Sequence, residues 1–212
     1  PEKKIIVSIT INFETISIKP KKKGTQGFTI FYGGTINRHR GLQIVLDAIK
    51  ILKDRNIRIR LQIAGWGSYK ETLEKQAVRS GIESNVIFYG QKPFDEMLEL
   101  LSEADAAIIP HLRTENNDAS SPNKLYQYMY LEKPVISSDC TSLKRIIDET
   151  GAGFIYRNDS PGELALLLEK LNNDRNLLKG KGEKGKVAVL SKYNWNSDRE
   201  RLINTYRRLV NA

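Results

Sequence analysis

Two stretches of this chain gather residue types suited to holding a phosphate. The first reads Tyr32-Gly33-Gly34-Thr35-Ile36-Asn37-Arg38-His39-Arg40-Gly41. Its adjacent glycines let the backbone approach a ligand without an intervening Cβ. Arg40 adds a planar, permanently charged donor fork. A helix predicted to begin near Gly41 turns its positive end to the same place. The second stretch reads Ser120-Ser121-Pro122-Asn123-Lys124-Leu125-Tyr126-Gln127-Tyr128-Met129. Ser121 as N-cap and Pro122 at the first helical position predict a helix start. The amides of Asn123 and Lys124 are then free to meet an anion, with the Lys124 side chain beside them. Either stretch alone is compatible with an ordinary glycine turn or capped helix.

Other chemistries find little support. No two aspartates stand two residues apart, so a paired-aspartate metal site is absent, and no metal or other cofactor is expected. His39, His111 and the single Cys140 are too few for a zinc site. A Cys140–His111 nucleophile pair has no local signature; His111, just after the fourth apolar run, is better placed to line a ligand loop. Gly180-Lys181-Gly182-Glu183-Lys184-Gly185 has the glycine spacing of a dinucleotide fingerprint. It follows Leu177 and Leu178 in a charged helical stretch rather than a strand, and so fails the context that motif needs.

The elements that must position these loops repeat one unit from residue 27 onward: a short apolar run, a turn, then an amphipathic helix. The runs are Phe28–Tyr32, Ile59–Ala64, Val86–Tyr89, Ala106–Ile109, Pro134–Ser137 and Gly153–Tyr156. They are continuous rather than alternating, as in strands covered on both faces. Between them Leu42, Val45, Leu46, Ile49 and Leu52 recur at helical spacing. So do Phe94, Met97, Leu98 and Leu101, and then Leu164, Leu167, Leu168 and Leu171. Alternating strands and helices predict an α/β fold, a doubly wound, six-stranded parallel sheet of Rossmann-like type. Ligands of such sheets bind beyond the carboxyl ends of the strands. That points to the loops Gly33–Gly41, Gly65–Ser68, Gly90–Pro93, Pro110–Pro122 and Ser138–Ser142, and puts both phosphate-type stretches on one edge.

The two ends differ from this unit. Residues 1–23 hold one strand-like run, then Pro20 and a lysine cluster resembling a linker. Residues 174–212 read as two helices around Tyr193 and Trp195. The net charge of +9 sits on these ends, whereas residues 24–173 are nearly neutral. The basic ends suit an anionic bilayer surface, and nucleic acid is not expected as a partner. No apolar run approaches the length of a membrane span, and one cysteine fits a reducing, cytoplasmic compartment. Opening on Pro1, the chain reads as a processed or truncated product.

Taken in order, these motifs resemble the carboxy-terminal domain of the group 1 glycosyltransferases, the large retaining class with the two-domain GT-B fold. The matching pieces are Tyr32–Gly41, Leu61-Gln62-Ile63-Ala64-Gly65-Trp66-Gly67 and Val86–Gly90. They continue with Ala104-Asp105 leading to Pro110, Lys124–Met129 followed by Lys133-Pro134-Val135-Ile136, and Gly151–Ile155. The resemblance implies that residues 24–173 bind a nucleotide-diphosphate-sugar donor without a metal, at the inner face of a membrane. An absent first domain would supply the pocket for a glycan or lipid-linked acceptor. Residues 1–23 would be the hinge from that domain. Residues 174–212 would pack back on it, exposing apolar surface around Trp195, Ile203 and Leu209 in its absence.

In the family an arginine and a lysine of the first loop hold the departing diphosphate; with Arg40 at the lysine position and Lys124 from the second stretch beside it, these two are expected as the catalytic pair. Donor contacts are expected from Gly33, Gly34, Thr35 and Arg38, from Gly65 and Gly67, and from Gly90, Gln91 and Lys92. They are also expected from His111, from Asp118, Ala119, Ser120 and Ser121, and from Asn123, Leu125 and Gln127. The sequence departs from the family pattern at three places. The lysine of the first loop is Arg40, its arginine is Thr35, with Arg38 near enough to compensate, and the paired glutamates fall on Ala119 and Gln127. Gln127 offers a ribose one acceptor oxygen where a carboxylate offers two. Ala119 offers none, leaving Asn116, Asn117, Asp118 or Ser120 to replace it. Two further readings stand beside the transferase: a non-catalytic nucleotide- or sugar-binding module, and a GT-B nucleotide-sugar epimerase.

Overall fold

In the computed structural model, which describes residues 27–210, six parallel strands form one sheet. The strands are β1 (Phe28–Gly33), β2 (Ile59–Ala64), β3 (Val86–Gly90), β4 (Ala106–Ile109), β5 (Val135–Ser138) and β6 (Gly153–Tyr156). Their order is β3-β2-β1-β4-β5-β6. The expected doubly wound sheet is therefore present, and its strand bounds lie within a residue of the apolar runs. The expected linker at residues 1–23 lies outside the described residues.

Helices α1 (Leu42–Asp54), α2 (Lys70–Arg79) and α7 (Pro161–Asn173) cover one face of the sheet. Helices α3 (Phe94–Glu103), α5 (Asn123–Tyr130), α6 (Thr141–Thr150) and α8 (Lys181–Ser191) cover the other. The five-residue α4 (Glu115–Ala119) lies in the loop after β4. Every residue of β1 is buried. Phe28, Ile30 and Tyr32 point into the first core and Phe31 into the second, the period-2 alternation of a central strand. On α1 the apolar positions read from spacing, Leu42, Val45, Leu46, Ile49 and Leu52, are all buried. On α3 the same reading holds for Leu98 and Leu101, while Phe94 remains exposed at the helix start.

The amino ends of the strands are closed by paired charge. Asp105, just before β4, accepts from the Thr29 backbone N–H at 2.8 Å and from Arg175 at 2.7 Å. Its side chain is almost wholly buried, and Arg175 also stacks on Phe28.

Of the spaced glycines at 180–185, Gly182 and Gly185 lie in α8 and Gly180 immediately precedes it. A Cβ at Gly182 would sit 2.0 Å from the Glu132 carbonyl oxygen, and one at Gly185 would crowd Met129 and Ala152. These glycines let α8 lie against the end of α5, so their spacing serves helix packing. Helix α9 (Trp195–Val210) follows. Trp195 is half-buried, contrary to expectation, whereas Ile203, Tyr206, Leu209 and Val210 are exposed as a stripe along its second half. No helix among the described residues is long and apolar enough to cross a membrane.

Candidate functional site

Strands β1 and β4 are neighbours at the centre of the sheet, and the chain leaves them in opposite directions, toward β2 and toward β5. The crevice between their carboxyl ends is the switch point of the fold. Backbone contacts set the first loop there. Gly34 N–H donates to the Ala64 carbonyl at 2.9 Å and Ile36 N–H to Trp66 at 2.7 Å, while Gly65 N–H donates to Gly90 at 2.7 Å. A Cβ at Gly65 would lie 1.8 Å from the Gly34 oxygen, and one at Gly67 2.2 Å from the Ile36 oxygen. In this structure Gly65 and Gly67 thus permit loop-to-loop contact, which shapes the crevice whether or not they touch a ligand.

Beyond Ile36 the chain makes a short 3-10 turn, Arg38–Arg40, ended by Gly41 at φ 74°. A Cβ at Gly41 would meet the Pro110 carbonyl at 1.7 Å, so the turn presses against the end of β4. His39 accepts from Leu112 N–H at 3.0 Å, tying the same two segments. This brings Arg40 to His111: the guanidinium Nη1 lies 3.1 Å from the imidazole Nε2. Arg40 Nε is buried and has no hydrogen-bond partner.

Helix α5 approaches from the other side of the crevice. The Tyr128 hydroxyl accepts from Gly33 N–H at 2.9 Å, pinning the helix to β1. Lys124, one turn earlier on the same face, directs its ammonium over the Tyr32 ring, 3.9 Å from the centroid. The Tyr32 hydroxyl donates to the Thr35 carbonyl at 2.6 Å and holds that ring in place. Lys124 Nζ is buried without a hydrogen-bond partner. A Cβ at Gly34, whose φ is 129°, would stand 2.7 Å from it, so Gly34 leaves room for the ammonium.

The electrostatics follow from this crowding. Burial, and then the charge of Arg40, hold the Lys124 ammonium well below its ordinary pKa. His111 is pulled down to about 2, first by burial and then by Lys124, Arg40 and His39. Burial raises the Tyr32 phenol above its usual range, against the pull of Arg40. Among the described residues, neither Arg40 nor Lys124 faces a carboxylate in an ion pair. Two cationic side chains therefore share a buried crevice, each with a nitrogen left unpaired. An arrangement of this kind has unpaired donors that an anion could accept from.

The remaining expected residues are distributed around this centre. Thr35 and Arg38 are exposed on the first loop. Gln91 and Lys92 are exposed beyond the edge strand β3, with Lys92 paired to Glu96 at 3.0 Å. Asp118 accepts from Thr141 N–H at 2.7 Å and from Arg113 at 3.1 Å. The Thr141 N–H, more than Arg113, keeps its carboxyl below the usual range. Its carboxylate thus straps the β4 loop to the start of α6. Asn117 is buried and donates to the Leu112 carbonyl at 2.7 Å, so it too is a strut. Ala119 and Ser120 are exposed, and the Ser120 hydroxyl donates to the Asn116 carbonyl. Gln127 is half-buried on α5, and Leu125 is buried in the core.

The cap assignment needs correction. Ser121 does not cap α5: its hydroxyl lies 2.8 Å from the Tyr126 hydroxyl, and Pro122 occupies the N-cap place. Satisfying the buried Tyr126 phenol takes the side chain that would have met the helix amides. Asn123 and Lys124 still open the helix, where N–H groups have no acceptor within it. Tyr32 and Tyr128, absent from the expected set, hold the loop and the helix at their places. Their only signal in the sequence was a bulky phenol beside each glycine or lysine of interest. No group of three or more His, Cys, Asp or Glu that could hold a metal ion occurs among the described residues.

Comparison with known proteins agrees with this geometry. Among curated proteins, the amylovoran biosynthesis glycosyltransferase AmsK of Erwinia amylovora is 26% identical over 174 residues, covering 81% of this chain and 43% of AmsK. The putative colanic acid biosynthesis glycosyltransferase WcaL of Escherichia coli is 23% identical, covering 78% of this chain and 41% of WcaL. The chain thus spans less than half the length of these relatives. Among solved structures, Anabaena Alr3699/HepE in complex with UDP superposes with a TM-score of 0.73 at 16% identity. That match covers 86% of this chain and 49% of the other. The C-terminal domain of the group 1 family protein LpcC from Francisella tularensis gives 0.70 at 18% identity, covering 87% of this chain and 99% of the domain. At these identities the structural likeness establishes the fold, that of GT-B glycosyltransferases. Residues 13–187 match the family described as Glycosyl transferases group 1, and the chain belongs to that family.

Proposed function

We propose that this chain holds the nucleotide-diphosphate-sugar donor of a retaining glycosyltransferase, with the acceptor site supplied by a preceding domain. The observation that carries the proposal is the pair of buried, unpaired cationic nitrogens, Arg40 Nε and Lys124 Nζ, at the switch point. A diphosphate leaving group gains negative charge as the sugar bond breaks. Fixed cations in a crevice shielded from water stabilise that charge more than water would. The amino end of α5 adds donors beside them. A UDP-bound neighbour of the same fold is consistent with this ligand class. AmsK and WcaL, named for amylovoran and colanic acid biosynthesis, point to a surface polysaccharide as product. The exposed stripe Ile203, Tyr206, Leu209 and Val210 on α9 supports a further body covering that helix in the whole protein.

The isolated chain is expected to bind but not to transfer, because one wall of a cleft neither orients an acceptor nor excludes water. Titrating labelled chain with UDP-glucose and GDP-mannose, with and without EDTA, tests the donor site. Amides of Gly33, Gly34 and Asn123 should shift with a Kd of about 0.1 mM to several mM. No shift at several millimolar, or a strict metal requirement, would count against it. A second reading, a non-catalytic nucleotide-binding module, is favoured by Ala119 and by the engagement of Asp118 within the loop. Assay of the full reading frame, upstream portion included, with varied acceptors separates the two.

A further inference from the structure

We propose that His111 is the proton-linked positioning residue of this site. It holds Arg40 as a neutral base and takes up a proton from solvent when a diphosphate fills the space between Arg40 and Lys124. The inference rests on the donor reading above and adds to it a regulation of affinity by pH.

The geometry requires a neutral ring in the empty site. Arg40 Nη1 lies 3.1 Å from Nε2 and 3.5 Å from Nδ1 of His111, and a guanidinium has only donors, so a protonated ring at that distance would set two cations against each other. The ring is almost wholly buried, and its place is fixed from behind. The His111 carbonyl accepts from the Ser138 hydroxyl at 2.6 Å and from the Cys140 thiol at 3.4 Å.

The groups around the ring carry one sign of charge. Burial opposes its protonation most, and Lys124 from α5 and then Arg40 and His39 from the 3-10 turn add to that opposition. From the β5 side the neutral Ser138 and Cys140 hold the His111 backbone carbonyl, and the Tyr32 phenol of β1 is turned to the Thr35 carbonyl. The nearby carboxylates are engaged elsewhere, Asp118 by Arg113 and Thr141 and Asp139 by Asn158. Among the described residues, the groups acting on His111 all disfavour a proton there.

A bound diphosphate changes the sign of that field. The phosphate oxygens accept from Arg40 and Lys124, cancel their charge at the ring, and let His111 carry a proton among its former opponents. Binding and protonation then favour one another, as linkage requires.

The chain contains only His39 and His111, so both imidazoles can be followed individually by NMR. UDP-glucose and GDP-mannose are the probes, because their fully esterified phosphates do not titrate near neutrality. Without ligand, His111 should stay neutral from about pH 8 to 5; at saturation its midpoint should rise measurably, because the anion offsets the repulsion of Lys124, Arg40 and His39 while the burial of the ring remains. Affinity should rise as pH falls, by up to about tenfold per unit for one proton. Calorimetry in buffers of different ionisation heat should register the uptake. His111→Gln keeps an acceptor for Arg40 without the titration. It should retain affinity within about threefold at pH 8 and lose most of the pH slope, whereas His111→Leu should lose affinity throughout. If a nucleotide sugar binds while His111 stays neutral, or if the Gln variant keeps the full slope, the inference fails and the donor reading stands. If neither nucleotide sugar binds at several millimolar at any pH, both fail.

Discussion

The two edges of the sheet bury charge in opposite ways. At the amino edge Asp105 is buried with Arg175 and the Thr29 N–H as partners. Lys133, on the same side, donates to the Ser102 and Ala104 carbonyls at 2.6 and 2.8 Å, satisfying the end of α3. At the carboxyl edge Arg40 and Lys124 are drawn into a crevice with nitrogens left unpaired. Burying a charge costs several kcal/mol unless partners compensate. The compensated edge therefore supports the fold. At the other edge Lys124 lies over the Tyr32 ring and Arg40 against His111, with no carboxylate among the described residues paired to either, so under the proposed function an anion would add stability there. The contrast supports the proposal that the carboxyl edge is the functional one.

The largest expected effect tests the compensated edge. Asp105→Ala leaves the Thr29 N–H and Arg175 without their acceptor. It should destabilise the chain by about 3 kcal/mol, or roughly 6–12 °C in Tm for a domain of this size. Nucleotide binding, measured well below the new Tm, should be unchanged. A loss of binding at full occupancy of the folded state would break the division between the edges.

The converse result is expected at the carboxyl edge. Lys124→Met and Arg40→Ala should leave the ligand-free Tm unchanged or raised, while each weakens diphosphate binding by about 10–150-fold, the worth of one charge-assisted contact. Thermal shift with and without nucleotide measures both quantities in one experiment. A lowered ligand-free Tm with intact binding would make these residues structural.

The contrast also has a pH signature. His111 is held near 2 in the folded chain and returns to about 6.5 on unfolding. Below about 6.5 the unfolded chain therefore binds the extra proton, so ligand-free stability falls with acidification from that point toward 2. Lys124 acts in the same sense at higher pH. Its lowered folded pKa makes stability rise as pH climbs from that value toward the ordinary ~10.5 of the unfolded state. Denaturant titrations across pH should show the acid limb flattened in His111→Gln and the alkaline limb flattened in Lys124→Met. Parallel profiles for wild type and variants would contradict the burial of these groups.

What was legible in the sequence divides along similar lines. The strands, the core positions of α1 and the shared edge of the two loops follow from local periodicity and from parallel topology, which any contact-free reading can use. The partners of individual polar groups do not. Ser121 has the signature of an N-cap, and only the approach of Tyr126 in the folded helix diverts its hydroxyl. Asp118 and Asn117 were candidates for sugar contacts because they are polar and near Ala119. Their engagement with Thr141 and Leu112 depends on residues that the fold, not the sequence order, brings together. Likewise Gly65 and Gly67 looked like ligand-facing glycines, and the obstacle that excludes a Cβ there is backbone of the neighbouring loop.

The smallest expected effect concerns Arg38, two residues from Arg40 and opposite to it in exposure. Its side chain extends into solvent from the 3-10 turn, so it bears no desolvation that an anion could relieve. Exposed charges interact weakly with a ligand through water and salt, typically by less than about 1 kcal/mol. Arg38→Ala should therefore change nucleotide affinity by less than about fivefold and Tm by less than about 2 °C. The affinity change should also shrink as salt is raised, because exposed charges are screened over roughly 10 Å at 0.1 M. The family arginine is Thr35 here, and Arg38 is the nearest cation that could replace it. Were Arg38→Ala to weaken binding as much as Arg40→Ala, and to do so equally at high salt, the turn would have to close over the diphosphate and bury Arg38 as well. Burial in the empty state would then no longer distinguish the residues that bind.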